Sequence, residues 1–240
     1  MIALRSRHAT HPGARRADNE DRCVDRPDLG LWAVADGAGG HEAGEVASGM
    51  LADMLDAIPV GLDAAELLAQ VRGRISQTHQ ALCEEAARRG PHTMIASTIV
   101  VLIARDEHFA CLWAGDSRGY LLRDGIMQQI TRDHSLVQEL VDAGAIRQED
   151  AEHHPHANVI TRAVGAEAEE FELDKVSGRL LPGDRFLLCS DGLCKTLPDQ
   201  EIAELLASPS DAPVTDLMID AALARRVNDN VTAVAVETTL

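Results

Sequence analysis

Residues 29–48 read LGLWAVADGAGGHEAGEVAS: an apolar run, Leu29–Ala35, arrives at Asp36, then glycines, then helical spacing from Glu42. A short continuous apolar run bounded by turn residues is what a strand buried on both faces requires. A carboxylate at the end of such a strand is held by a rigid sheet, and neighbouring glycine lets the backbone approach a ligand. The pattern recurs along the chain. Phe109–Ala114 leads through Gly115 to Asp116, and Arg185–Ser190 leads to Asp191 with Gly192 beyond it. Asp229 sits immediately before the apolar run Val231–Glu237, and Glu20 and Asp21 precede another strand-like stretch.

Working outward, Ile2–Thr10 alternates as a strand, while Glu42–Ile58 and Ala64–Arg89 carry helical spacing broken by Pro59 and Gly61. Ile95–Ile103 is a β-branched strand. Gly119–Arg123 and Ile126–Ile130 flank Asp124-Gly125, a two-residue hairpin signal. Short helices are expected at Ser135–Gly144 and Gln148–His153, strands at Glu170–Val176 and Arg185–Ser190, and helices at Asp199–Ala207 and Asp216–Arg225. Strands in hairpin-like groups between helices indicate an α+β fold with antiparallel sheets, not a βαβ winding. The absence of repeats and long linkers argues for a single domain over 1–240.

The net charge of −17 argues against nucleic acid or an anionic membrane as a partner, because phosphate surfaces attract basic patches. The five cysteines have no CxxC spacing, which speaks against zinc and redox motifs. With no signal-like or membrane-length apolar run, the expected location is cytoplasmic and the expected state a monomer.

Several carboxylates brought together would repel one another unless a cation lay between them, and oxygen-only ligands suit Mg²⁺ or Mn²⁺. Asp-Gly pairs also arise as ordinary turns, and periodicity alone does not decide between the two readings. The order of the blocks does. Arg16-Ala17-Asp18-Asn19-Glu20-Asp21, the segment 35–48, Gly115-Asp116-Ser117-Arg118-Gly119-Tyr120, Ser190-Asp191-Gly192-Leu193 and Asp229-Asn230-Val231-Thr232 resemble, in sequence order, the metal-dependent protein phosphatases (PPM, type 2C) of the compact bacterial branch. Ala38 departs from the methionine usual there, leaving every ligand in place.

That resemblance implies a central β-sandwich of two antiparallel sheets flanked by helices, an α-β-β-α arrangement. It implies two Mn²⁺ or Mg²⁺ ions bridged by Asp36, with Asp191 and Asp229 completing the first and the Gly37 carbonyl, Glu20 and Asp21 serving the second. Asp116 with Asp191 would make a weaker third site, Arg16 would bind the substrate phosphate, and His41 would lie near the metals. The segment 133–165 would be a substrate-selecting flap, in which Asn158 and Arg162 face the site or hold structure. The implied activity is hydrolysis of phosphoserine and phosphothreonine in proteins by metal-activated water. Phosphoproteins would be the substrates, a Ser/Thr kinase would be opposed, and association with type VI secretion is a further implication.

Two rival readings are a two-metal phosphodiesterase or nuclease, disfavoured by the acidity, and a binding module with a decayed site, disfavoured by four intact aspartates. Cys83 and Arg89 have cysteine-phosphatase spacing, but the residues between them read as an acidic helix and not a phosphate-cradling loop. His153, His154 and His156 read as a solvated loop.

Overall fold

In the computed structural model, residues 3–39, 43–151, 153–166, 171–208 and 213–239 are described. The strands are β1 (Ala3–His11), β2 (Asp21–Arg26), β3 (Leu31–Ala38), β4 (Ala96–Ser97), β5 (Ile99–Arg105), β6 (His108–Ala114), β7 (Arg118–Arg123), β8 (Ile126–Gln129), β9 (Asp174–Arg179), β10 (Arg185–Cys189) and β11 (Val231–Thr239). The helices are α1 (Ala43–Asp56), α2 (Ala64–Arg89), α3 (Leu136–Asp142), α4 (Gln148–Ala151), α5 (Asp191–Cys194), α6 (Asp199–Ala207) and α7 (Val214–Ala224).

One sheet runs β1-β11-β10-β7-β8 and the other β2-β3-β5-β6-β9, with β4 also on β3. Every pairing is antiparallel. Three apolar layers explain why the central strands read as continuous apolar runs. Along β3, Trp32 and Val34 enter the layer between the sheets with Val100, Leu102, Phe186, Leu188 and Val234. Leu31, Ala33 and Ala35 point the other way, against Leu51, Leu55, Val71 and Ile75 of α1 and α2. The second sheet face carries Tyr120, Leu187, Ala233 and Ala235 onto Leu193, Ile202, Met218 and Ala222 from α5, α6 and α7. Successive residues therefore face different apolar layers, and polar alternation has no place in these strands.

Local chemistry sets several boundaries. Asp63 caps α2 by accepting from the Glu66 N–H, and Glu66 returns the bond to the Asp63 N–H. Asp124 and Gly125 both take positive φ, 52° and 77°, as a tight turn matched to strand twist demands. The expected strand Ile95–Ile103 is split: β4 and β5 keep one register along β3 but break at Thr98, which bonds the Asp36 backbone. The strand expected at Glu170–Val176 lies further on, at β9. Phe171 and Leu173, within the expected span, pack instead on the α1/α2 layer, with Phe171 stacked on His79 at 4.4 Å. β9 itself is a half-exposed edge strand of polar character. The spacing from Cys83 to Arg89 falls within α2. No described helix is long and apolar enough to cross a membrane.

Phe186 is fully buried between the sheets, its ring edge-on to Phe109 at 4.9 Å. Phe186→Ala should cost about 3–5 kcal/mol by leaving a cavity there, measured as a lowered midpoint in urea denaturation.

Candidate metal centre

The register of two strands creates the central problem of the site. Asp21 opens β2 directly opposite Asp36 on β3, so two carboxylates face each other across one strand pair. Like charges so placed destabilise a sheet. Asp21 is 1% exposed; its Oδ2 accepts from the Ser190 hydroxyl at 2.7 Å, while its Oδ1 has no hydrogen-bond partner. Burial, then hydrogen bonds from Thr232 and Ser190 in the opposite sense, then Asp191 and Asp229, leave the Asp21 carboxyl raised to about 7. Asp36 is pushed well above the usual carboxylate range by burial and by Asp21, Asp191, Asp116 and Asp229.

Backbone contacts hold Asp36 in place. The Asp36 carbonyl accepts from the Thr98 N–H at 2.8 Å and the Ser97 hydroxyl at 2.9 Å. Thr98 and Ser117 hydroxyls meet at 2.7 Å, tying β3 to the loop that carries Asp116. Gly37 and Gly44 pack backbone to backbone: a Cβ on Gly37 would lie 2.2 Å from the Gly44 carbonyl oxygen, and one on Gly44 would lie 2.9 Å from the Glu20 carboxyl carbon. Only glycine permits this approach of α1 to β3 beside the aspartate. The Gly37 N–H bonds the Glu20 carbonyl at 3.2 Å. Burial, opposed by Arg16, raises the Glu20 carboxyl, and Asp229, Asp18 and Glu45 raise it further.

Asp116 is 3% exposed. Its Oδ2 accepts from Lys195 at 3.2 Å, and its Oδ1 is buried without a partner. Burial and Asp191, partly offset by Lys195, raise it to about 6. Asp191 begins α5 and accepts from Lys195 at 2.7 Å. Asp229 precedes β11 and is paired with Arg16 at 3.0 Å, both side chains about half exposed. Arg16, expected to hold substrate phosphate, thus grips a carboxylate in this structure. His41 lies outside the described residues. Asn158 accepts from Lys195 at 3.1 Å, whereas Arg162 donates to Asp174 at 2.6 Å.

The sequence reading missed residues that assemble the centre. Asn230 accepts from the Glu20 N–H and donates to the Pro12 and Asp18 carbonyls, clamping the segment 12–20 against β11. Ser190 donates to Asp21 and accepts from the Thr232 N–H. Both stand beside aspartates inside the Ser-Asp-Gly-Leu and Asp-Asn-Val-Thr blocks, which is the signal that could find them. Lys195, four residues after Asp191, gave no signal until α5 was known to be helical.

These residues fit hard cations. The side-chain donors are oxygens, the buried Asp21 Oδ1 lacks any partner, and mutual repulsion opposes ionisation of the set unless positive charge enters. Among the described residues no three acidic, histidine or cysteine side chains are already gathered into a ligand cluster. Asp229 is engaged with Arg16, and Asp116 and Asp191 with Lys195. Cysteine chemistry is disfavoured: burial pushes the thiols of Cys23 and Cys111 up to about 11 and about 12.

The family model described as protein phosphatase 2C matches residues 6–231. The serine/threonine phosphatase stp of Listeria monocytogenes is 35% identical over 95% of this chain and 93% of its own length. The serine/threonine protein phosphatase PstP of Mycobacterium tuberculosis is 36% identical over 98% of this chain, which spans 45% of PstP. Among solved structures, PppA, described as a key regulatory component of T6SS in Pseudomonas aeruginosa, superimposes with a TM-score of 0.90 at 42% identity, covering 98% of this chain and 97% of that one. The PstP catalytic domain in complex with 2 manganese ions gives a TM-score of 0.86 at 34% identity over the whole of both chains.

For Asp21, a pKa raised from 3.8 to about 7 means the folded protein keeps a proton that the unfolded chain sheds. Its contribution is full below the unfolded value and is lost as pH rises through the folded one. In chelator, the melting temperature of the wild type relative to Asp21→Asn should therefore fall between about pH 4 and 7. A difference that stays flat or grows over that interval would contradict this electrostatic account.

Proposed function

This chain belongs to the protein phosphatase 2C family, and we propose that it hydrolyses phosphoserine and phosphothreonine in proteins with Mn²⁺ or Mg²⁺. The observation carrying this reading is the facing pair Asp21 and Asp36, with a buried carboxylate oxygen left without a partner. Asp36 would bridge two ions, joined by Asp191 and Asp229 at the first and by the Gly37 carbonyl, Glu20 and Asp21 at the second. When bound, the ions supply Lewis acidity that brings the deprotonation of water into the neutral range and offset charge on the phosphoryl oxygens.

The chain's own groups do the rest. Arg16 and Asp229 form an exposed ion pair. Exposed pairs are worth about 0–1 kcal/mol. Asp229 can therefore pass to a cation at little cost, freeing the planar Arg16 guanidinium to take two phosphate oxygens. Ser190, Thr98 and Asn230 keep their partners fixed, so the carboxylates need little reorganisation as charge develops. No side-chain nucleophile is required, and no covalent phosphoenzyme forms. His41 would help protonate the leaving serine or threonine oxygen.

The chain is read as one catalytic domain, with 133–165 selecting substrates. A cleft of about 770 Å³ supports this role. It adjoins Asp116 and Lys195 and is lined from the 133–165 segment by Asp133, Gln138, Glu149 and Asn158. Opposition to a Ser/Thr kinase fits the proposed chemistry, and the likeness to PppA supports a link to type VI secretion. Unchanged secretion after deletion of the gene in a secretion-active strain would refute that link.

Phosphopeptide hydrolysis should disappear in EDTA and return with Mn²⁺, while a phosphodiester tested alongside stays intact. Asp36→Asn and Asp229→Asn should retain the wild-type circular dichroism and lose turnover. Hydrolysis persisting in chelator, or near-native rates in either variant, would refute the assignment.

A further inference from the structure

Lys195 makes three contacts with its ammonium group: Asp191 Oδ2 at 2.7 Å, Asn158 Oδ1 at 3.1 Å and Asp116 Oδ2 at 3.2 Å. An ammonium has three donors and no acceptor, so this arrangement uses all of them on oxygen. The backbone places the group. Lys195 is the C-cap of α5, its N–H bonded to the Asp191 carbonyl at 2.8 Å, which sets the two side chains one helical turn apart. α5 cannot shift easily, because Leu193 is fully buried and a Cβ on Gly192 would lie 2.0 Å from the Asn230 carbonyl oxygen.

Two carboxylates and an amide oxygen are donors that a hard divalent ion also accepts. At this position such an ion would compete with a cation already attached to the chain, present at high effective concentration. It would also meet the repulsion of the displaced ammonium a few ångströms away. Resting on the two-ion reading above, we infer that Lys195 is the resident cation of the Asp116–Asp191 pair and takes the place of a third metal ion. Its bond to Asn158 joins the segment 133–165 to the same pair. Lys195 is thus a positioning residue whose charge holds Asp116, Asp191 and Asn158 together.

Counting Mn²⁺ bound to the full chain, by calorimetric titration and equilibrium dialysis at one free concentration, tests this directly. The wild type should take about two ions, Lys195→Met one more, and Asp116→Asn the same number as the wild type. A third ion on the wild type, or no gain in a Lys195→Met protein that still melts cooperatively, would overturn the inference. Should Lys195→Met fail to fold, Asp116→Asn decides: an unchanged count supports the inference and a lost ion overturns it. No binding by the wild type would instead remove the two-ion reading, and this inference with it.

Discussion

Repulsion between carboxylates confined to one end of a β-sandwich is the constraint on which the rest of the structure depends. Asp21 and Asp36 are opposed by strand register, and no rotamer change separates two residues paired across adjacent antiparallel strands by more than a few ångströms. Asp116, Asp191 and Asp229 add their fields to the same region. Such an array is tolerated only because the surrounding fold is over-determined by three apolar layers, and because positive charge is recruited from within the chain and from solution. Arg16 and Lys195 are the internal contributors. Stability and function are therefore opposed locally, as is common where a scaffold holds a charged constellation for chemistry.

The scaffold does more than deliver aspartates. Hydroxyl and amide side chains form a second set of contacts linking elements far apart in sequence: Ser190 to Asp21, Thr98 to Ser117, Asn230 to the segment 12–20. The Ser190 and Asn230 contacts satisfy carboxylate or backbone groups that burial would otherwise strand, and all three tie together segments that carry ligand candidates. His134 does similar work at the Gly115 turn. Its Nδ1 accepts the Gly115 N–H at 3.1 Å, and its ring is stacked on Trp113. Burial lowers its pKa, in keeping with a neutral acceptor.

The fold was legible where burial on both faces wrote long apolar runs: β3, β5, β6, β10 and β11 all fall where such runs stood. α2 and α6 match the expected spans to the residue, with Asp63 and Pro198 standing at their N-caps. β9 was misplaced because an edge strand with one exposed face has little apolar pattern, while Phe171 and Leu173 beside it pack elsewhere. Asp36, Asp116 and Asp191 were legible because each follows a strand next to glycine, and Asp229 because it stands just before one. Their partners were not. Lys195 acquires meaning only from a single helical turn too short for periodicity to reveal, and Arg16's grip on Asp229 spans 213 positions that only the folded chain brings together.

The pairing of β1 with β11 has a consequence for how the molecule comes into being. Ala3 lies opposite Thr239, so this ladder joins segments 236 positions apart. Closing it carries the entropic penalty of distant contacts and makes it one of the slower events of folding. Asp229, Asn230 and the clamped segment 12–20 belong to this late seam. During synthesis, a ribosome-tethered chain lacking β11 has its two facing aspartates without the groups that complete their surroundings. The surroundings of Asp21 and Asp36 are completed only when β11 docks beside them.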